Sequence, residues 1–259
     1  MGMATPRIPP YVVCAHRGGA GPWPENSLAA FRHCAALGVD AVELDIHMTA
    51  DGRLAVIHDA TLDRLTDGRG AVAETTAAAL ARLGLRGPVG TDEPVPMLED
   101  ALAILLGAGI APWIEIKNGA DGAAYPGIED RLADLLADMD AVARCAVLAF
   151  DWDLLERLRA RAPGLRLAGN LNRQGLRARG GIAPCLARLT EIGADTLSLD
   201  RRLADAPLVA RIAGAGLAVA LWTVNAESDM RGWRDQPVSL LITDRPETAL
   251  RVRAEAAPD

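Results

Sequence analysis

A regular alternation of short apolar runs with longer amphipathic segments constrains the fold of this chain most strongly. Eight runs have the length and composition of strands: 11–16, 40–45, 112–117, 145–150, 165–170, 195–199, 217–222 and 239–243. Helical spacing predicts helices near 27–37, 76–83, 97–106, 129–139, 153–161, 184–192, 207–215, 227–234 and from 246 onward. Alternating strands and helices indicate a parallel sheet, and eight such units predict a closed (β/α)8 TIM barrel of the α/β class.

The alternative fold is an open, doubly wound sheet. Such a sheet would carry a Gly-rich phosphate loop after its first strand, opening a helix. The sequence His16-Arg17-Gly18-Gly19 does not match that fingerprint. The barrel therefore remains the favoured fold, with a β-hairpin and a short insertion, 60–95, after its second strand.

The length of 259 residues fits a single domain spanning 1–259. A net charge of −7 argues against nucleic acids and anionic membranes as partners, because both select basic surfaces. The four cysteines form no CxxC pair, and no apolar run approaches the roughly 20 residues that span a membrane. These features predict a cytoplasmic protein, a monomer or homodimer, without stable membrane association. Cys14 is expected to be buried.

The stretch 42–59, VELDIHMTADGRLAVIHD, carries two carboxylates and two histidines around an Asp-Gly turn. Glu43 and Asp45 are two residues apart in a strand and share a face. A two-residue loop at Asp51-Gly52 would make a hairpin that pairs His47 with Val56 and brings His58 opposite Asp45. Carboxylates beside an imidazole indicate a metal ion with a general acid or base next to it. The alternative is an exposed hairpin whose charges face water.

Reactive groups of a barrel lie at the carboxyl ends of its strands, and the polar residues of this chain follow that rule. The strand ends supply His16, Arg17, Glu43, Asp45, Glu115, Lys117, Phe150, Asp151, Trp222, Thr243 and Asp244. Three carboxylates without a cysteine or evident histidine ligand select Mg²⁺, Ca²⁺ or Mn²⁺. Arginine and lysine beside such an ion would hold a phosphate, and two histidines could divide acid and base duties. Together these groups indicate cleavage of a phosphate ester.

Several of these residues also have an ordinary structural explanation. Glu115 and Lys117 could form a simple ion pair, and Trp222 could belong to the core. Asp244 could fix the last loop by capping the helix that begins at Pro246. No role is assigned to the remaining histidines, His33 and His47.

The combined motifs resemble those of the glycerophosphodiester phosphodiesterase family, specifically its compact cytoplasmic bacterial type. The matching motifs are AHRGG with PENS, VELDIHMTADGRLAVIHD, DRLTDGRG, PMLEDAL, WIEIK, LAFDW, LWTVN and LITDRP, in this order from residue 15 to residue 246. One departure is Ala149, at a position where the family often has serine. The resemblance implies a (β/α)8 barrel that hydrolyses glycerophosphodiesters to glycerol 3-phosphate and an alcohol with one divalent cation.

By motif position, the resemblance also implies roles for individual residues. It implies metal ligands at Glu43, Asp45 and Glu115, general acid/base catalysis by His16 and His58, phosphate binding by Arg17 and Lys117, and contact with glycerol by Trp222. One histidine would deprotonate the glycerol 2-hydroxyl, and the second would protonate the leaving alcohol. Direct attack by water is the competing mechanism.

Two other functions remain open from the sequence. The first is a phospholipase D-like or phosphoinositide-type phosphodiesterase that acts on a lysophospholipid or a larger phosphodiester. The second is a non-catalytic barrel that binds a phosphodiester or a metal. The head group and the identity of the cation do not follow from the sequence.

Overall fold

The computed structural model describes residues 11–88 and 93–255. Its strands are β1 (Val12–His16), β2 (Ala41–Met48), β3 (Leu54–Val56), β4 (Ala111–Ile116), β5 (Ala146–Ala149), β6 (Arg166–Leu171), β7 (Thr196–Asp200), β8 (Ala218–Trp222) and β9 (Leu240–Thr243). Its α-helices are α1 (Leu28–Leu37), α2 (Ala77–Leu80), α3 (Leu98–Gly107), α4 (Ile128–Asp138), α5 (Trp152–Arg161), α6 (Arg173–Ala178), α7 (Ile182–Ile192), α8 (Ala206–Gly214), α9 (Glu227–Gly232) and α10 (Pro246–Ala254).

Eight parallel strands close into a barrel. Strand β1 pairs with β2 on one side and with β9 on the other, and the remaining strands follow in the order β8, β7, β6, β5, β4 back to β2. The closing pair aligns Cys14 with Ala41 and His16 with Glu43. The predicted (β/α)8 barrel is therefore confirmed, and the open-sheet alternative is wrong.

The predicted helices all occur, because local signals mark their ends. Helix α1 begins after Ser27, whose hydroxyl accepts a hydrogen bond from the Ala30 amide, and it ends at Gly38 in the left-handed conformation. Helix α6 was not predicted, since its six residues carry no apolar stripe, but the Asn172 side chain caps its first turn. In the described ranges, none of the helices combines the length and apolar character needed to cross a membrane.

Two apolar layers fill the fold, one inside the barrel and one between its strands and the surrounding helices. The interior layer combines five small side chains with four bulky ones, Trp113, Leu148, Leu240 and Ile242. Cys14 lies in this layer and is fully buried, as predicted. The outer layer is larger and joins β-strand residues such as Ile114 to helix residues such as Leu102. Inward-facing residues alternate with outward-facing ones, so the last inward-facing residues of the strands line the barrel rim.

The hairpin forms, but its predicted register is wrong by one residue. His47 pairs with Ala55 instead of Val56, because the loop contains three residues, 50–52, closed by a hydrogen bond from the Thr49 amide to the Arg53 carbonyl at 2.9 Å. Gly52 adopts a φ of 73°, the left-handed conformation that three-residue hairpin loops require. Since a one-residue shift turns side chains to the other face, pairing alone does not bring His58 beside Asp45.

The insertion (residues 60–95, of which 60–88 and 93–95 are described) packs around an apolar cluster of its own. Leu62, Leu65, Leu80 and Leu85 are buried there against Ile57, which follows the hairpin. Isolated bridges hold its backbone together instead of a continuous ladder, for example between Thr66 and Leu85. The insertion is therefore a small structured unit that covers one side of the barrel rim.

Candidate active site

The strand register brings the predicted site residues together at the carboxyl-terminal rim of the barrel. In β1 and β2, His16 is aligned with Glu43, and in β2 and β4, Asp45 is aligned with Glu115. Lys117 follows Glu115 by two residues and projects to the same side. The parallel ladder itself therefore fixes the positions of these groups relative to one another.

Glu43, Asp45 and Glu115 form a compact acidic cluster. One oxygen from each carboxylate lies within 4.8 Å of the others. Glu43 and Asp45 are only 2% and 1% exposed. Burial and the neighbouring charge of Asp45 raise the pKa of Glu43 to about 8. Such a concentration of buried negative charge requires compensation by cations.

Two side-chain cations from the protein supply part of that compensation. Lys117 Nζ lies 2.7 Å from Glu115 Oε1 and 3.1 Å from Asp45 Oδ1, and Arg17 Nε lies 3.2 Å from Asp45 Oδ2. Burial alone would raise the pKa of Asp45, but Lys117 and Arg17 hold it at about 2. Within the described residues, Glu43 Oε1 is buried without a hydrogen-bond partner. An all-oxygen donor set with an unpartnered buried oxygen fits a hard divalent cation.

Each of the two predicted catalytic histidines is held by a carboxylate. His16 Nδ1 lies 2.6 Å from Asp244 Oδ1, and His58 Nδ1 lies 2.7 Å from Asp59 Oδ1. Burial would lower the pKa of His16, but Asp244 and Glu43 raise it overall. Burial lowers the pKa of His58. In both rings the carboxylate contact occupies Nδ1, which leaves Nε2 as the nitrogen for proton transfer.

The position of His58 depends on contacts beyond the hairpin ladder. His58 follows β3, and its carbonyl oxygen lies 3.0 Å from His47 Nε2. His47 is buried, and its Nδ1 lies 2.7 Å from the Tyr125 hydroxyl. The shifted register is thus compensated by a short segment after β3 that turns His58 back toward the rim. No sequence pattern predicts this pair, because Tyr125 lies 78 residues from His47 in the chain.

Four further polar residues contact the predicted site residues: Glu25, Asn26, Asp59 and Asp244. The structural alternative for Asp244, a cap on α10, is wrong: that helix has no side-chain cap, and the Asp244 carboxylate instead contacts His16 and accepts a hydrogen bond from Asn225. The Asn26 amide donates a hydrogen bond to Asp45 Oδ2 at 2.8 Å. The adjacency of Asp59 to His58 and the place of Asn26 in the PENS motif were the signals available in the sequence.

A narrow cavity of about 170 Å³ opens above the acidic cluster. Its lining includes seven of the eight predicted residues: His16, Arg17, Glu43, His58, Glu115, Lys117 and Trp222. Asp45 lies beneath them, in contact with Arg17 and Lys117. Phe150 and Trp222 meet edge to face, with ring centroids 5.9 Å apart, and form an apolar wall.

Two polar residues of the narrow cavity were not singled out from the sequence. Asn170 and Ser198 lie on the inward faces of β6 and β7, two residues after the inward-facing Ala168 and Thr196. Period-two alternation within these strands was the available signal. Polar or charged side chains therefore make up eight of the twelve residues that line the narrow cavity.

A second, wide cavity of about 540 Å³ lies beside the narrow one, lined among others by Trp23, Glu25, Arg64, Arg86 and Asp244. His16 and Arg17 line both cavities. These two side chains therefore form the boundary between the two cavities.

Comparisons with known proteins place the chain in a family. The model of the glycerophosphoryl diester phosphodiesterase family matches residues 16–248. A glycerophosphodiester phosphodiesterase of Caldanaerobacter subterraneus is 31% identical over 93% of this chain and 97% of its own length, and one of Bacillus altitudinis is 29% identical over 94% and 98%. An Oleispira antarctica phosphodiesterase, solved in complex with the product sn-glycerol-3-phosphate, shares the fold with a TM-score of 0.80 at 24% identity, over 94% of this chain and 97% of that one. Because the family model covers nearly the whole chain, this protein belongs to the glycerophosphoryl diester phosphodiesterase family.

Proposed function

We propose that this enzyme hydrolyses glycerophosphodiesters to glycerol 3-phosphate and an alcohol, with a divalent cation and two histidines as general acid and base. The observation that carries the proposal is one shared rim where three carboxylates approach within 4.8 Å and two imidazoles each contact a carboxylate of their own. The product bound by the Oleispira antarctica phosphodiesterase is the product proposed here.

Glu43, Asp45 and Glu115 are the proposed ligands of the cation, which would be Mg²⁺, Ca²⁺ or Mn²⁺. Their oxygens are the donors that hard cations select, and Glu43 Oε1 has no hydrogen-bond partner among the described residues. When bound, the ion supplies Lewis-acid charge that stabilises the negative charge developing on the phosphate.

Arg17 and Lys117 are the proposed phosphate-binding residues. The guanidinium group of Arg17 can bind two phosphate oxygens at once, and it lies between the two cavities, where the phosphorus of a phosphodiester would lie. Lys117 supplies a compact charge inside the narrow cavity. The apolar wall of Trp222 and Phe150 would lie against the carbon side of the glycerol unit.

The positions of the histidines divide their proposed roles. His16 lines both cavities, whereas His58 lines only the narrow one. We therefore infer that His58 removes the proton of the glycerol 2-hydroxyl, whose oxygen then attacks phosphorus. His16 donates a proton to the oxygen of the leaving alcohol as its P–O bond breaks. Water then opens the cyclic phosphate, and the two histidines exchange roles. Asp59 and Asp244 keep each ring oriented with Nε2 toward the substrate.

The cyclic route is tested with a substrate that lacks the 2-hydroxyl. The route requires that hydroxyl as the nucleophile, so the analogue should release its alcohol at a rate reduced by orders of magnitude. Rapid hydrolysis of the analogue would instead establish direct attack by water.

The proposed function is tested by measuring glycerol 3-phosphate release from purified protein after EDTA treatment. Release should be lost in EDTA and return when Mg²⁺, Ca²⁺ or Mn²⁺ is added in excess. Glycerophosphocholine should be cleaved faster than lysophosphatidylcholine, since a cavity of about 170 Å³ is too small to enclose a long acyl chain beside the glycerol unit. Absence of release with every cation would refute the proposed function, and a preference for the lysophospholipid would support the larger-substrate alternative.

A further inference from the structure

The wide cavity lies on the side of the proposed phosphate position that the leaving alcohol would occupy. His16 and Arg17 separate it from the narrow cavity, which holds the acidic cluster and the proposed glycerol wall. A diester whose phosphorus lies at Arg17 has two alcohol arms. If the glycerol arm occupies the narrow cavity of about 170 Å³, the other arm enters the wide cavity of about 540 Å³. The chemistry of the wide cavity therefore decides which alcohol is accepted.

The insertion builds the outer wall of this cavity. Arg64, Leu65 and Arg86 all come from it, and the Arg86 amide donates to the Leu65 carbonyl at 2.7 Å. Leu65 belongs to the buried cluster of the insertion. Arg86 is therefore attached to a packed support, with its side chain at the cavity.

The carboxylates of the wide cavity are already paired with protein cations or histidine. Glu25 accepts hydrogen bonds from Arg17 at 3.1 Å and Arg64 at 2.9 Å, and Asp244 contacts His16. The lining thus contains three arginines against two carboxylates, in a chain whose net charge is −7. A quaternary ammonium group would find only the ring of Trp23 and no unpaired carboxylate in this lining.

Among the described residues, Arg86 is the one arginine of the wide-cavity lining without an ion pair, since Arg17 and Arg64 both pair with Glu25. Among the described residues, its only side-chain hydrogen bond runs from Nη1 to the Asp63 carbonyl at 3.0 Å, and it forms no ion pair. Its other guanidinium N–H groups can therefore bind an anion in a forked geometry.

We propose that the wide cavity is the site of the leaving alcohol and that it favours an alcohol carrying a phosphate or carboxylate, which Arg86 binds. This inference rests on the proposed function and adds a substrate class to it. The anionic group is part of the leaving alcohol. Arg86 would therefore select the substrate through it, and the group would take no part in the reaction at phosphorus.

Two matched pairs of diesters test the proposal with the metal-loaded enzyme. Glycerophosphoinositol and glycerophosphoinositol 4-phosphate differ by a phosphate, and glycerophosphoethanolamine and glycerophosphoserine differ by a carboxylate. The proposal expects a higher kcat/KM for the anionic member of at least one pair, and the pair that responds identifies the anion. Glycerophosphocholine should be a poorer substrate than that anionic member.

Arg86→Gln should reduce this preference about fivefold, the size expected for one solvent-exposed ion pair, and added salt should reduce it in the wild type. Arg82→Gln removes an exposed arginine of the same insertion outside the wide-cavity lining and should leave the preference unchanged. Equal kcat/KM within both pairs, or an Arg86→Gln variant with the wild-type preference, would overturn the inference. Absence of glycerol 3-phosphate release from all five diesters would instead refute the proposed function, so the two failures are distinguishable.

Discussion

The barrel rim and the insertion hold their polar residues in different ways. At the rim, Glu43 and Asp45 project from a strand that is hydrogen-bonded on both sides, and both are almost completely buried. In the insertion, Arg64 and Arg86 are exposed and come from segments connected by isolated bridges. The reacting groups other than His58 thus lie on or directly after strands of a continuous ladder, whereas the proposed head-group contacts lie on loops.

This difference has a physical reason. Chemistry at phosphorus requires fixed distances between charges, and strand ladders provide that precision. Selection of a head group requires only a complementary charge at the right side of the cavity, which an adaptable loop can provide. Changes at the rim should therefore alter the reaction rate, and changes in the insertion should alter preference or local stability.

The largest effect is expected from removing a histidine of the rim. His16→Ala and His58→Ala should each lower kcat by roughly 10²- to 10⁴-fold, because each removes a proposed general acid or base. The measurement is glycerol 3-phosphate release under saturating metal and substrate, with circular dichroism to verify folding.

The matched control is His33→Ala, which removes a partly exposed histidine that contacts Glu247 on the outside of the barrel. Its rate should equal that of the wild type. Turnover near normal in either rim variant would remove that histidine from the mechanism.

The next effect concerns the acidic cluster. Glu115→Gln keeps the shape of the side chain but removes one charge from the proposed metal site, and it also weakens the ion pair with Lys117. Removing a residue that only hydrogen-bonds a metal ligand lowers metal affinity by roughly 10- to 100-fold. Because Glu115 is itself a proposed ligand, we expect the apparent metal affinity of Glu115→Gln to fall at least that far. Calorimetric titration with Mn²⁺ measures that affinity directly, and excess metal should restore much of the activity. An unchanged titration curve would argue that Glu115 only pairs with Lys117.

A pair of leucine substitutions compares the two cores. Leu62→Ala in the insertion and Leu102→Ala between strand and helix layers both remove fully packed side chains and should cost about 2–5 kcal/mol where they act. Hydrogen exchange should show the difference, because the insertion has its own core. Leu62→Ala should speed exchange only in the insertion, and Leu102→Ala should weaken the barrel strands as well. Equal acceleration throughout the protein in both variants would mean that the two regions unfold as one unit.

The sequence predicted the barrel well because long-range strand pairing follows from local patterns repeated eight times. The sequence also predicted that the polar residues at the strand ends lie together, since parallel strands end at the same rim whatever their exact register. It missed contacts that depend on distant loops, such as Tyr125 on His47 and Asn225 on Asp244. It also misjudged the hairpin, because Asp51-Gly52 is compatible with either a two- or a three-residue loop, and only the tertiary contacts decide between them.

The smallest effect therefore tests that hairpin loop. Gly52 has a φ of 73°, and a Cβ there would meet only Arg131 Nε at 3.9 Å, so backbone strain alone opposes a side chain. Gly52→Ala should lower the free energy of unfolding by about 1–2 kcal/mol, and Gly52→Asn by less, because asparagine tolerates this conformation better. Gly107→Ala, at the exposed end of α3 with open space around it, is the control and should not destabilise the protein. Denaturant unfolding measures all three. If Gly52→Ala were as stable as the wild type, the three-residue loop would be the wrong assignment. Retained activity in the same variant would show that His47 holds His58 independently of the turn.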